Sequence, residues 1–561
     1  MLEFKDYKYT RPDYEKVKIE IDALVQKMNN AEKSSDALSA IKEFNATYNT
    51  VVSDISLVEI RNSIDMSDKF YEKEMNFIIE YMPKFDELKN HMNKAIVNSK
   101  FVKNIKGQYG EQFVNLLEAQ IKCFDPCIMP ELVLEGKVCN EYNKLISSAK
   151  IEFDGKTLNI AQMGPYLNNT DRNVRRDALD AKWKFFEENE KAFDDIYDQL
   201  VHVRDKMAKK LGYKNYIDLG YLRLGRTDYN YHDVQGYRDR IYKYIVPLVQ
   251  KIRHMQSERL GIKDLKDYDL VLNYKEGNPQ PFGSTEDKIN NAKKMYNQMS
   301  DETGEFVNFM FDHKLTDLDA KANKNGGGYC TYIPNYKSPF VFANFNGTSG
   351  DVDVLTHEFG HAFQVFSSRK YESMENLFPT LEACEIHSMS MEFFAIPYCD
   401  LFFGENAKKY EFAHLTDSIC FLPYGVSVDE FQENVYLNPD MTPKERKKLW
   451  LDIEKKYTPD KVHENEFLKE GNYWLRQSHI FTNAFYYIDY TLAQVCAHQF
   501  FIKDQDNHEK AWQDYYALCQ AGGSKSFFEL LKVANIGNPF KGDIVKNTAK
   551  YLENWIDNYK L

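Results

Sequence analysis

The sequence predicts a mainly α-helical protein with a small β-sheet beside one decisive helix. Three observations carry that expectation. Residues 1 to 155 are dominated by apolar residues at three-and-four spacing with charges between them, the pattern of amphipathic helices. Strand-like alternation is nearly absent there. Glycine, aromatic and β-branched residues gather in only one convincing β stretch, "GGGYCTYIPNYKSPFVFANFNGTSGD", directly before a helical segment carrying two histidines.

Taken in order, "YEKVKIEIDALVQKM" and "DKFYEKEMNFIIEYMPKFDELKNHMNKAI" read as long helices. Ile151 to Leu158 read as a short hairpin turning at Asp154-Gly155. Helices resume at "TDRNVRRDALDAKWKFFEEN", with Thr170 or Asp171 as N-cap. This change of texture sets a boundary near residue 155, dividing an N-terminal helical region (1–155) from a catalytic region (156–561). "GNPQPFGSTEDKINNAKKMY" is a Pro/Gly loop ending at Ser284 or Thr285 as N-cap, with Glu286 and Asp287 suited to the helix dipole. "MTPKERKKLW" opens with Thr442, Pro443 and Glu445, a capping box. In the β stretch, "SPFVFANFN" (338–346) is expected to be an edge strand that pairs its backbone with a peptide.

Composition narrows the function. Apolar residues at 43% and charged residues at 28% suit a globular core. The 38 Tyr and 38 Phe exceed what packing alone requires and suit a peptide-contacting surface. A formal charge of −13, spread along the chain, argues against a nucleic-acid partner. No apolar run long enough for a membrane span is present, and "MLEFKDYKYTRPDYEKV" has no secretory h-region. Nine cysteines without regular spacing form no disulfide framework and fit reduced thiols in the cytoplasm.

The decisive segment is "DVDVLTHEFGHAFQVF", in which His357, Glu358 and His361 stand at H-E-x-x-H spacing. Val352, Leu355, Phe359, Ala362 and Phe366 give the helix a core face. Positions four apart on a helix return to within ~40° of one another, so the imidazoles project side by side, as sharing one Zn2+ ion requires. Glu358 sits ~100° round from His357, so it flanks the metal and can take a proton from water. Chance produces such a five-residue match in roughly a few per cent of chains of this His content, so a third ligand is needed. A second helix from about Thr380 carries Glu382, Glu385 and Glu392 among Leu381, Ile386, Met389, Phe393 and Phe394, where carboxylates need a metal or hydrogen-bond donors. His387 lies off that face. No His follows the motif in "AFQVFSS", so the site is read as two-His, one-Glu.

"HEFGHAF" followed by "EIHSMSME" resembles the thimet oligopeptidase/oligoendopeptidase family of zinc peptidases, in its oligoendopeptidase F-like branch. The likeness covers about residues 200 to 545. In that family a second Glu follows the ligand Glu by seven residues, which implies Glu385 as ligand, Glu392 as follower and Glu382 further out. The resemblance also implies a two-lobed helical body enclosing a deep channel. From "SHIFTNAFYYIDYTLAQVCAHQF" it implies that Tyr490, His479 and one of Tyr486 and Tyr487 stabilise the oxyanion.

The function expected is a cytoplasmic zinc endopeptidase acting on oligopeptides, with no nucleic-acid or membrane partner. Glu358 would serve as general base. A zinc carboxypeptidase of similar fold and a non-catalytic helical peptide-binding protein are the alternatives. The first would need a cationic anchor for a terminal carboxylate, and the second would be expected to have lost Glu358 or the tyrosines.

Overall fold

The computed structural model describes residues 2–561. Helices dominate, and the described strands are confined to a two-stranded hairpin and a three-stranded sheet. Tyr14–Asn29, Ser34–Ile64 and Lys69–Val97 form the long opening helices. Asp13 and Asp68 start the first and third by accepting the free N–H groups of Lys16, Phe70 and Tyr71. Their apolar stripes meet in a core of their own around Ile41, Phe44, Phe85 and Met92. Leu57 and Ile60 of the second helix point instead into the main core of the chain. Buried charges add to that docking: Glu135 accepts from Arg204 at 2.6 Å and Arg223 at 2.7 Å.

The hairpin pairs β1 (Ile151–Phe153) with β2 (Lys156–Leu158). Its turn residues Asp154 and Gly155 have φ of 51° and 68°, the left-handed pair that a two-residue reverse turn demands. Asp171 caps the helix after it, while Ser284 with Asp287 and Thr442 with Glu445 close reciprocal capping boxes.

The three-stranded sheet departs from expectation. β5 (Ser338–Phe345) runs between β3 (Thr316–Asp319), which is parallel to it, and β4 (Tyr329–Ile333), which is antiparallel. The segment expected at the edge is therefore central, and both its hydrogen-bonding sides are taken. The edge strand is β4. Tyr329, Cys330 and Thr331 line a cavity of about 460 Å³ shared with Glu59, Asn140 and Asn483.

β5 packs against the motif helix, Gly350–Ser368, which in turn crosses the carboxylate helix, Leu381–Ala395. Gly360 makes the crossing possible. A Cβ there would lie 2.7 Å from the His387 carbonyl oxygen and 2.7 Å from Ser388 Cα. The Tyr-rich segment is not one helix, as its sequence suggests, but a short turn of helix, Ser478–Thr482, and a long tyrosine helix, Tyr487–Asp506. Between them Phe485 has φ of +67°, rare for a bulky residue. Tertiary bonds hold it: its N–H donates to Gln432 Oε1 at 3.0 Å, and its carbonyl accepts from buried Arg226 at 2.6 Å.

Candidate metal centre

His357 and His361 leave the motif helix side by side, ring centroids 5.0 Å apart. Each Nε2 lies 3.2 Å from the same atom, Oε2 of Glu385 on the carboxylate helix. Ligand atoms of the three residues all fall within 4.8 Å of one another, and no other such group of His, Cys, Asp and Glu occurs among the described residues. This donor set fits a divalent cation. Two imidazole nitrogens and one buried carboxylate oxygen converge, and the groups behind them hold that orientation.

Behind His357, Nδ1–H donates to Glu392 Oε1 at 2.6 Å, which presents Nε2 to the centre. Glu392 Oε2 lies 3.3 Å from His414 Nε2. Asp353 Oδ1 is 3.2 Å from His414 Nδ1 and accepts from the Tyr410 hydroxyl at 2.6 Å. Glu385 is fixed by Ser388 Oγ, which donates to Oε2 at 2.9 Å, and by the Tyr486 hydroxyl, which donates to Oε1. Burial opposes charge on His357, but hydrogen bonds to Glu385 and Glu392 overcome it and raise its pKa well above the ordinary range. Burial likewise opposes charge on Glu385, and the two imidazoles outweigh it, lowering that pKa. The pocket is built for positive charge at the imidazole nitrogens.

Glu358 is buried and its Oε2 has no hydrogen-bond partner. Burial raises its pKa, with the nearby imidazoles opposing. Gly328, at the entrance to edge strand β4, passes so close that a Cβ would stand 3.0 Å from Glu358 Oε1. The strand edge and this carboxylate thus share one side of the site.

Across from them stand the tyrosines. His479 Nε2 is 3.2 Å from the Tyr490 hydroxyl. The Tyr424 hydroxyl donates to Gln477 Oε1 at 2.9 Å, which turns Gln477 Nε2 toward His479 Nδ1 at 2.8 Å and leaves the His479 proton on Nε2. The Tyr486 and Tyr490 rings stack at 5.0 Å. Tyr487 faces elsewhere, packing on Phe421 and Tyr424. Of the two competing tyrosines, Tyr486 is the one that touches the ligand set.

Two further sequence candidates lie outside. His387 is fully buried with neither ring nitrogen bonded to a side chain, and burial lowers its pKa to about 4, so it is a core residue. Glu382 accepts from Thr380 at 2.8 Å and faces Asp489 and Arg226, away from the ligands. Sequence reasoning missed Asp353, Tyr410, His414, Ser388 and Gln477. Asp353 alone left a signal, standing one turn before His357 on the same helix.

The sequence profile of Peptidase family M3 matches residues 166–550, and that of the Peptidase M3 N-terminal domain matches residues 4–124. The oligoendopeptidase F homolog of Mycoplasma genitalium is 22% identical over 395 residues, 66% of this chain and 63% of that protein. The chromosomal oligoendopeptidase F of Lactococcus lactis subsp. cremoris is 23% identical over 409 residues, 70% of this chain and 64% of that protein. The matched region thus spans less than two thirds of these curated relatives. A solved structure of PZ peptidase A with inhibitor 2 is 49% identical, covers 99% of both chains and has a TM-score of 0.98.

Proposed function

The chain belongs to peptidase family M3, and from that premise we propose that it is a zinc-dependent endopeptidase hydrolysing short peptides. The observation that carries the reading is the convergence of His357 and His361 Nε2 on Glu385 Oε2 at 3.2 Å, with Glu358 alongside. A zinc ion held by those three residues supplies the Lewis acidity that makes water nucleophilic at neutral pH.

The chain's own groups perform the remaining work. Glu358 Oε2, free of other partners, accepts the proton of the attacking water and delivers it to the departing amine. Tyr490, with the Nε2–H of His479 beside it, donates to the carbonyl oxygen as that oxygen gains negative charge. Tyr486 acts through Glu385 as a positioning residue, and Glu392 does the same through His357. Tyr487 backs the tyrosine wall. Edge strand β4 receives the peptide backbone in place of the central strand, since its outer side opens on a cavity and its entrance touches Glu358. A channel between helical lobes that excludes folded proteins accords with cavities on both sides of the site. Nine unpaired cysteines accord with a cytoplasmic setting, and no described helix is long and apolar enough to cross a membrane.

A fluorogenic peptide blocked at both ends tests the reading, because a carboxypeptidase leaves it intact. Cleavage by wild type is expected, with Glu358→Gln retaining metal by elemental analysis and losing turnover by at least about 10³-fold. Near-normal turnover of that variant would remove Glu358 as the base.

A further inference from the structure

Behind the tyrosine wall lies a cavity of about 440 Å³, lined by residues that include Ser349 at the start of the motif helix, Phe421, Tyr424, Tyr473 and Arg476. Two routes join it to the centre. The Phe421 ring lies 5.8 Å from that of Tyr487, which lies 5.3 Å from that of Tyr490. Tyr424 holds Gln477, which holds His479. An extended peptide advances about 3.3 Å per residue, so one crossing the catalytic wall reaches this cavity within a few residues.

The charges on its walls are accounted for, with one exception. Lys461 is 2.9 Å from Glu454, Asp267 is 2.5 Å from His463, and Asp417 accepts from Asn273 at 3.1 Å. Arg253 donates to Gln256 and the Leu270 carbonyl, and Asp460 is on the exposed rim. Arg476 forms no ion pair among the described residues. Its guanidinium is gripped by aromatic rings, 4.5 Å from Tyr473 and 5.3 Å from Tyr424, which fixes it while leaving donors to spare. Lys182, on the helix Arg172–Glu188, also lacks an ion-pair partner, and its neighbour Trp183 packs on Tyr473 at 5.6 Å. Burial first, and then the charge of Arg476, lower the Lys182 pKa to about 7. Two mutually repelling cations without a counter-ion beside a cavity form a site that an anion completes.

We propose that Arg476, assisted by Lys182, binds a carboxylate of the peptide substrate a few residues from the scissile bond. The carboxylate is the chain terminus or an acidic side chain. This rests on the endopeptidase reading and adds to it a preference for where that enzyme cuts.

Two pairs of N-blocked peptides test it. The first pair differs only in a free or amidated C-terminus. The second is amidated throughout and differs in Glu or Gln near that end. The carboxylate member of at least one pair is expected to show a kcat/KM about ten-fold or more above its partner. A ratio in the first pair alone assigns the terminus, and one in the second alone assigns the side chain. In Arg476→Gln, and more weakly in Lys182→Gln, the ratio should fall toward one. Each ratio is taken within one protein, so a loss of folded enzyme cancels. Ratios near one in wild type, or a ratio surviving in both variants, overturn the proposal. Cleavage of none of the four peptides by wild type removes the endopeptidase reading, and this inference with it.

Discussion

Tyr490 and His479 reach the same condition from opposite sides. Burial, reinforced by Glu385, pushes the Tyr490 phenol far above its usual range, and burial lowers His479 to about 4. Both are therefore neutral hydrogen-bond donors at pH 7, able to strengthen their bonds as charge develops on substrate. Tyr490→Phe should lower kcat by about 10²–10³-fold with little change in KM, read by steady-state kinetics. A rise in KM at constant kcat would make Tyr490 a binding residue only. A separate histidine links stability to pH. His463 sits 2.5 Å from Asp267 and 3.0 Å from Glu454, and although burial opposes its charge those hydrogen bonds raise its pKa. Its contribution is then complete below the unfolded value of about 6.5 and disappears as pH rises through the folded value. His463→Gln should cost about 1–3 kcal/mol at pH 6 and less at pH 9, measured by urea unfolding. A penalty that grows with pH contradicts this sign.

The crossing of the motif and carboxylate helices rests on Gly360. Adding a Cβ there meets backbone of the opposing helix, which cannot turn aside. Gly360→Ala should cost about 1–3 kcal/mol and weaken metal retention, because the separation that relieves the clash also parts His361 from Glu385. Unaltered affinity in a metal-competition titration would show that the helices absorb the methyl elsewhere. Elements of this kind were legible in the sequence, since a helix with H-E-x-x-H and a second apolar helix bearing carboxylates leave periodic traces. The β register was not. The β-branched and aromatic content that marks "SPFVFANFN" as a strand is strongest where both sides are covered, so it signals a central strand. The break at Phe485 was equally hidden. No Gly or Pro announces it, and Arg226 and Gln432, remote in sequence, impose it.

At the scale of the molecule, the centre draws its groups from segments far apart in the chain, which explains what sequence reading missed. His414, Gln477 and Tyr424 act through partners that only folding brings near, whereas the ligands announce themselves by spacing. The same dispersion ties metal binding to stability. An ion bound by the folded chain alone stabilises it by about 4 kcal/mol at a thousand times its Kd. Chelation should therefore abolish turnover and lower Tm by several degrees in calorimetry, both restored on adding zinc. An unchanged Tm after verified metal removal would mean that the centre is preorganised without help from the ion.

Tyr424 belongs at once to a cavity wall and to the hydrogen-bond line that fixes the His479 tautomer. Whatever fills that cavity leans on the imidazole from behind. A long peptide thus arrives carrying its own adjustment of the catalytic groups, and a short one leaves them as they stand. The far end of the substrate is felt before its middle is cut.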